Sequence, residues 1–316
     1  MPATPRVVVL NPHPFYQPYA QERHVTERLG ATFHADGSPT DGLLAEATVL
    51  LSHSVPIDRS FLSKLGTCRL IVSYSTGIDH IDVAAADECG IVVRGIAGYC
   101  TEDVAEHALA MVLSCARRLH QLDRALRSTG AWDVTITAPG RQRLSRQTLG
   151  IVGVGRIGSA LGRKAAALGM HVLGYDPLLA SAPVGFPGPL VALDTLLANS
   201  DYVSLHAPLT AMSRGLIGAP QLALMKRGAF LINNARGALV DEEALVAALE
   251  AGRLAGAALD VRVQEPPPPG DLLNNRDDVL VTPHAAAFTE DAIVDLRTMV
   301  VGYLADALST PAEVRA

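Results

Sequence analysis

Cysteine is scarce in this sequence: Cys68, Cys89, Cys100 and Cys115 are the four present, with no CxxC pair and no histidine at zinc-ligand spacing. That pattern predicts no disulfide framework and no structural metal, and it fits a reduced, cytoplasmic protein. Long apolar runs are missing too. Gly, Asp or Arg interrupts each one well before the ~20 residues that a membrane span needs. The N-terminal run Val7–Leu10 is too short for a signal-peptide core. There is no basic block and no heptad array, and the formal net charge is -6. No nucleic-acid partner and no membrane partner is therefore expected. What is plentiful is apolar residue, 49% of 316, which suits two cores and argues against disorder.

Short apolar runs recur along the chain, bounded by Gly, Asp or Pro. Val7–Leu10, Thr48–Ser52, Leu70–Ser73 and Ile91–Val93 read as buried strands, with amphipathic stretches such as Gln17–Leu29 and Ile81–Cys89 between them. One long helix is expected from Thr101 to about Leu122, its C-terminal end loaded with Arg117, Arg118 and His120. The alternation resumes with Leu149–Val152, Val172–Tyr175, Tyr202–Leu205, Phe230–Ile232, Ala257–Val261 and Val279–Val281, and a last helix covers Asp291–Leu308. Gln264–Gly270, with its four consecutive prolines, must be irregular. The plan is α/β: two doubly wound parallel-sheet domains.

The strongest local signal is "LGIVGVGRIGSALGRKAAALGMHVLGYDP". Gly153, Gly155 and Gly158 have GxGxxG spacing between a strand and an Ala- and Leu-rich helix, with Arg156 and Ile157 opening that helix. Gly153 permits the tight turn, Gly155 lets backbone approach a pyrophosphate, and Gly158 lets helix and strand pack closely. Asp176, 18 residues after Gly158, ends the next strand. Its carboxylate suits both ribose hydroxyls and repels a 2′-phosphate, and no cation follows in Pro177, Leu178 or Leu179. The expected cofactor is NAD rather than NADP.

Polar residues recur where later strands meet loops, the place where open α/β sheets bind ligands. Arg236 follows "FLINNA", Asp260 and Glu265 lie in "LDVRVQEPPPP", and His284 ends "LVTPH". Alone, each has a plain counterpart: a surface cation, a solvated loop acid, a capped turn histidine. Together at three strand ends they suggest a site.

These segments resemble the D-isomer-specific 2-hydroxyacid dehydrogenases over nearly the whole chain. "GIVGVGRIG…YDP", "HAPLT", "FLINNARGALVDEEAL", "GAALDV…EP" and "VTPH" come in that family's order and spacing, and "GYCTEDVAEHALAMVLSCARR" is most similar to its C-terminal-binding-protein-like bacterial branch. The resemblance implies a Rossmann NAD-binding domain, 101–284, inserted into a flavodoxin-like substrate domain of 1–100 and 285–316. It further implies an active-site cleft with hinges near Thr101 and Ala285, and a homodimer with the Thr101–Leu122 helix near its interface. The expected reaction is hydride transfer between NAD(H) and C2 of a small 2-hydroxy or 2-keto acid. Arg236 would hold the substrate carboxylate and polarise the keto oxygen. His284 would be the general acid/base and Glu265 its carboxylate partner, raising the imidazole pKa and fixing its tautomer. Asp260 would contact the nicotinamide side. His206, Ala207, Pro208, Asn234 and Ala235 would line the cofactor, with Arg156 and Ile157 beside the glycines. In the first domain Ser75, Thr76 and Gly77 of "SYSTGIDHID" would offer N–H groups to the substrate carboxylate.

Arg262 and Phe288 depart from the family's usual residues and are expected to reshape the pocket. A formate-dehydrogenase-like activity pairs the histidine with glutamine, so Glu265 argues against it. The competing class is an NAD-sensing scaffold on the same fold, which has no chemical need of all three catalytic residues. Glyoxylate, hydroxypyruvate, pyruvate, phosphohydroxypyruvate and branched keto acids all stay open as substrates. The phosphorylated one is disfavoured by the lack of Lys or Arg clustered near Ser73–Asp82.

Overall fold

Strands that are apolar along their whole length need cover on both faces, and this chain supplies it with helices at all but the last of its crossovers. The computed structural model describes residues 4–35, 37–53, 55–130, 132–133, 135 and 141–309. In chain order the first elements are β1 (Arg6–Leu10), α1 (Ala20–Arg28), β2 (Thr32–His34), α2 (Asp41–Ala45), β3 (Val49–Ser52), α3 (Arg59–Leu62), β4 (Leu70–Ser73), α4 (Val83–Glu88) and β5 (Val92–Gly95). Then come α5 (Thr101–Arg117), α6 (Leu119–Thr129), β6 (Thr148–Val152), α7 (Arg156–Ala167), β7 (His171–Tyr175), α8 (Leu193–Asn199) and β8 (Tyr202–Leu205). The last are α9 (Ala219–Leu224), β9 (Phe230–Asn233), α10 (Glu242–Glu250), β10 (Gly256–Leu259), β11 (Val279–Val281) and α11 (Glu290–Ser309). They form two units: the described residues of Met1–Cys100 with those of Thr289–Ala316, and those of Thr101–Phe288.

In the first unit the sheet order is β2-β1-β3-β4-β5 with every pair parallel, the order of flavodoxin-like sheets. Strand alternation sends Val7 and Val9 to one face, packed with Leu296, Val300 and Leu304 of α11. Val8 and Leu10 go to the other face, with Ile57, Leu62, Ala85 and Ala86. Each of these Val, Leu and Ile side chains contributes roughly 1.5–3 kcal/mol of burial. The short edge strand β2 was not expected from the sequence; three residues carry too little periodicity to announce it.

In the second unit the parallel order is β11-β10-β9-β8-β6-β7, and an isolated bridge pairs Gly174 with Leu190 at the free edge of β7. Counting that bridge as a strand reduced to one residue, the order is the 3-2-1-4-5-6 of dinucleotide-binding sheets, with β11 added beside β10 as a seventh. The single helix expected over Thr101–Leu122 is two. Arg118 breaks it in a left-handed conformation, φ 57. A tertiary contact holds that break, because its Nη1 donates to the Ala255 carbonyl at 3.1 Å and its guanidinium lies 4.3 Å over the Phe230 ring. The stretch Gln264–Gly270 has neither helix nor strand.

Candidate active site

The C-terminal ends of the second sheet bring the expected site residues together. Gly153 follows β6, Asp176 follows β7, His206 follows β8, Asn234 to Arg236 follow β9, Asp260 follows β10, and His284 lies just beyond β11.

The glycine turn has the shape a pyrophosphate requires. Gly153 has φ 95, and a Cβ there would come within 2.6 Å of the Ala207 nitrogen. A Cβ on Gly158 would meet the Gly153 carbonyl oxygen at 2.1 Å, so helix and turn touch with no room for a side chain. Gly155, the N-cap of α7, is different: a Cβ there would meet nothing within 4 Å, and no side chain caps the helix. Open space thus faces unsatisfied N–H groups and the positive end of the helix dipole, which fits a bound diphosphate. Arg156 is exposed at the first helical position, and Ile157 packs against the core. Asp176 is pinned beside this turn, its carboxylate accepting the N–H of Val154 and that of Leu178, both at 3.0 Å. Replacing it with Ser is expected to narrow the preference for NADH over NADPH by about tenfold, roughly 1.4 kcal/mol. Steady-state kinetics with both cofactors checks this; an unchanged ratio would remove the selectivity role.

His206 bonds Ser204 Oγ through Nε2 at 2.8 Å, and burial pushes its pKa down to about 4, so its ring is neutral near pH 7. Ala207 packs against the core and Pro208 is exposed. The turn after β9 is organised by Asn233, which sequence reasoning missed: its amide donates to the Arg236 carbonyl at 2.9 Å and its Oδ1 accepts the Ala235 N–H at 3.1 Å. Asn234 is buried against Met111 of α5, 3.5 Å from the sulfur. Arg236 is half-buried, one Nη donating to the Ala235 carbonyl at 2.8 Å.

His284 and Glu265 form a pair: Nδ1 lies 2.7 Å from Oε2. The other carboxylate oxygen accepts the Arg262 N–H at 2.8 Å. Burial raises the Glu265 pKa, but hydrogen bonds from His284 and the Arg262 N–H outweigh it and hold the carboxyl below its usual value. The bond to Glu265 lifts the His284 pKa; burial and Arg236 oppose, while the charges of Glu265 and Asp260 reinforce. With Nδ1 committed, Nε2 is the atom through which a proton can come and go. His284 has φ 53, uncommon for a side-chain-bearing residue. Asp260, 2% exposed, holds it there: its carboxylate accepts Thr282 Oγ1 (2.6 Å) and the N–H groups of Ala285 (2.8 Å) and Ala286 (3.1 Å), and its carbonyl accepts the His284 N–H (2.8 Å). Thr282 also bonds His107 of α5 at 3.1 Å. Thr282 and His107 were likewise missed, since their partners lie far away in sequence.

Arg262 corrects an expectation. Its side chain is not a pocket wall but is buried among Glu242, Asp271 and Asn274. Phe288 is 45% exposed.

The expected substrate loop belongs to the first unit. Ser75 Oγ donates to the Gly77 carbonyl at 2.6 Å and contacts Ser73 Oγ at 2.8 Å, and Thr76 Oγ1 donates to the Ile96 carbonyl at 3.0 Å. Both hydroxyls thus serve the loop's own shape. Buried Cys100 has its sulfur 3.9 Å from Thr76 Oγ1.

Residues 109–286 match the model of the D-isomer specific 2-hydroxyacid dehydrogenase, NAD binding domain. The chain belongs to the D-isomer specific 2-hydroxyacid dehydrogenase family. It is an oxidoreductase of that family, with NAD as its cofactor. It is 41% identical over 252 residues to the glyoxylate reductase of Korarchaeum cryptofilum, covering 78% of this chain and 74% of that one. It is 40% identical over 253 residues to the D-3-phosphoglycerate dehydrogenase of Archaeoglobus fulgidus, but spans only 46% of that relative's length. Among solved structures, the D-lactate dehydrogenase of Aquifex aeolicus, complexed with NAD and lactic acid, superposes with a TM-score of 0.83 at 30% identity, over 94% of this chain and 93% of that one. The glycine turn and the His284–Glu265 pair are both built within the second unit.

Proposed function

We propose that this chain interconverts a small 2-keto acid and its D-2-hydroxy acid, with the His284–Glu265 pair as the proton-transfer device. The observation that carries this reading is the 2.7 Å contact between Nδ1 and Oε2, at the same strand ends as the glycine turn. Bound NAD(H) supplies or takes the hydride at C2. In the reducing direction His284 gives its Nε2 proton to the oxygen that becomes the hydroxyl; in the oxidising direction it takes that proton back. Arg236 binds the carboxylate and draws charge from the keto oxygen. Ser75, Thr76 and Gly77 offer backbone N–H groups to the carboxylate, and Asp260 orients the nicotinamide side while holding the His284 turn. His206, Ala207, Pro208, Asn234 and Ala235 line the cofactor.

A homodimer and a cytoplasmic location are proposed alongside. The apolar strip on α6, with Leu119 and Leu126 exposed, supports the first; size-exclusion chromatography with light scattering checks it. Four free cysteines support the second.

The test is loss of NADH absorbance with a panel of glyoxylate, hydroxypyruvate, pyruvate, phosphohydroxypyruvate and branched keto acids. Turnover of at least one is expected. NADH binding without turnover of any would turn the reading to an NAD-sensing scaffold.

A further inference from the structure

The long connection from β10 to β11, residues 260–278, has no helix or strand, yet it must hold Glu265 in place for the 2.7 Å contact with His284. Four consecutive prolines stiffen its middle but bring no N–H donor to fasten it. Its attachment is Arg262. This residue is 6% exposed, and its guanidinium makes five hydrogen bonds. Nε and one Nη take both oxygens of Glu242 at 2.9 and 3.1 Å. The two Nη atoms take both oxygens of Asp271 at 2.9 and 2.8 Å, and one of them also reaches Asn274 Oδ1 at 2.7 Å. The planar fork is thus used in two bidentate pairs, an arrangement a lysine cannot reproduce. Glu242 closes the clamp from its side, since its Oε1 also accepts the Val263 N–H at 2.9 Å.

The backbone of the same residue meets both halves of the catalytic set. Its N–H donates to Glu265 Oε1 at 2.8 Å, while Oε2 of that carboxylate holds His284. On its other side the Arg236 turn packs directly onto it: a Cβ on Gly237 would lie 2.0 Å from the Arg262 carbonyl carbon and 2.3 Å from the Val263 nitrogen. Glu242 opens α10, the helix that follows that turn. One anchored peptide therefore abuts the turn that carries Arg236 and bonds the carboxylate that orients His284.

We propose that Arg262 is a positioning residue for the reaction, whose clamp on Glu242 and Asp271 sets the Glu265–His284 pair and the Arg236 turn in register. This rests on the catalytic reading of those three residues. The Arg262 guanidinium is committed to Glu242, Asp271 and Asn274, so the residue acts on the reaction through Glu265. The charged groups that bear on His284 are Glu265, Arg236 and Asp260, and of these Glu265 is the one that Arg262 restrains.

The test compares Arg262→Gln with Arg262→Lys and Glu242→Gln. Two readouts are taken: the His284 imidazole titration followed by NMR in the cofactor-free protein, and the pH profile of keto-acid reduction. In Arg262→Gln the His284 midpoint and the alkaline limb of the profile are both expected to move to lower pH. kcat should fall by up to about 100-fold, as a misplacement near 1 Å can produce, with NADH affinity kept. Arg262→Lys should recover only part of the shift, because it restores the charge without the fork. A merely structural role would lower the yield of folded enzyme and leave both midpoints in place; that result overturns the proposal. If Arg262→Gln does not fold, Glu242→Gln decides on the same two readouts, since it loosens the clamp and leaves the arginine paired to Asp271. Undiminished turnover by His284→Ala would instead overturn the catalytic reading, and the clamp's role in the reaction with it, whatever the Arg262 variants do to the titration.

Discussion

Replacing His284 by alanine is expected to lower kcat/KM for keto-acid reduction by about 10²–10⁴-fold, the range for loss of a general acid/base. NADH binding should be unchanged, because the glycine turn and Asp176 are formed by other strand ends. The pH profile carries the sign. In the proposed reaction, reduction consumes a proton from His284, so the protonated imidazole is the active form. Its folded pKa is raised above 6.5, chiefly by the bond to Glu265. Reduction should therefore run at a plateau below that raised value and decline as pH passes through it. Oxidation needs the neutral ring and should rise over the same window. Glu265→Gln removes the negative charge that raises the imidazole, leaving burial and Arg236 to depress it, so its reduction limb should move to lower pH. The pair is about half exposed, so these shifts should show in activity much more than in stability. Turnover retained in His284→Ala, or a reduction limb at the same pH in Glu265→Gln, would count against the assignment.

The parts of this molecule that were legible in its sequence are those set by local rules. Strands buried on both faces are short runs of Val, Ile and Leu, and the glycine turn has its spacing because Gly153 must take a positive φ and Gly158 must touch the Gly153 carbonyl. The residues missed are polar groups whose partners are distant along the chain. His107 and Thr282 are 175 positions apart, and Arg262 and Glu242 are 20. Periodicity and propensity are blind to such pairs. The break at Arg118 escaped for a related reason. No Gly or Pro marks it, and what holds the left-handed residue is a hydrogen bond to Ala255 and the face of Phe230, both contributed by another part of the fold. Arg262 was visible only as an unusual residue. Seen alone, a charge between a buried strand and a proline run suggests a pocket wall, whereas its partners Glu242 and Asp271 make it an anchor.

The largest stability effect is expected from Arg297→Met. Arg297 on α11 donates to both oxygens of Glu22 on α1, at 3.2 and 2.9 Å, and Tyr74, next after β4, donates its hydroxyl to the same carboxylate at 3.1 Å. Glu22 is 0% exposed. A carboxylate so placed loses nearly all hydration, and the Arg297 guanidinium compensates its charge. Removing the cation while leaving the acid should therefore cost about 3–5 kcal/mol, a large fraction of the 5–15 kcal/mol that typically holds a domain together. Glu22→Leu combined with Arg297→Met should recover most of that loss, because an apolar pair has no charge to desolvate. The coupling between the two changes, read from denaturant curves of all four proteins, then measures the interaction. A single Arg297→Met within about 1 kcal/mol of the parent would mean that the buried acid takes up a proton or finds water instead. The effect should reach the proposed substrate loop. Tyr74 immediately precedes Ser75, and α11 packs on the face of the first sheet that Tyr74 shares. In folded Arg297→Met, the KM for the keto acid should accordingly rise more than kcat falls, whereas the His284 pH limb should stay where it is, since Glu265, Arg236 and Asp260 set it from within the second unit.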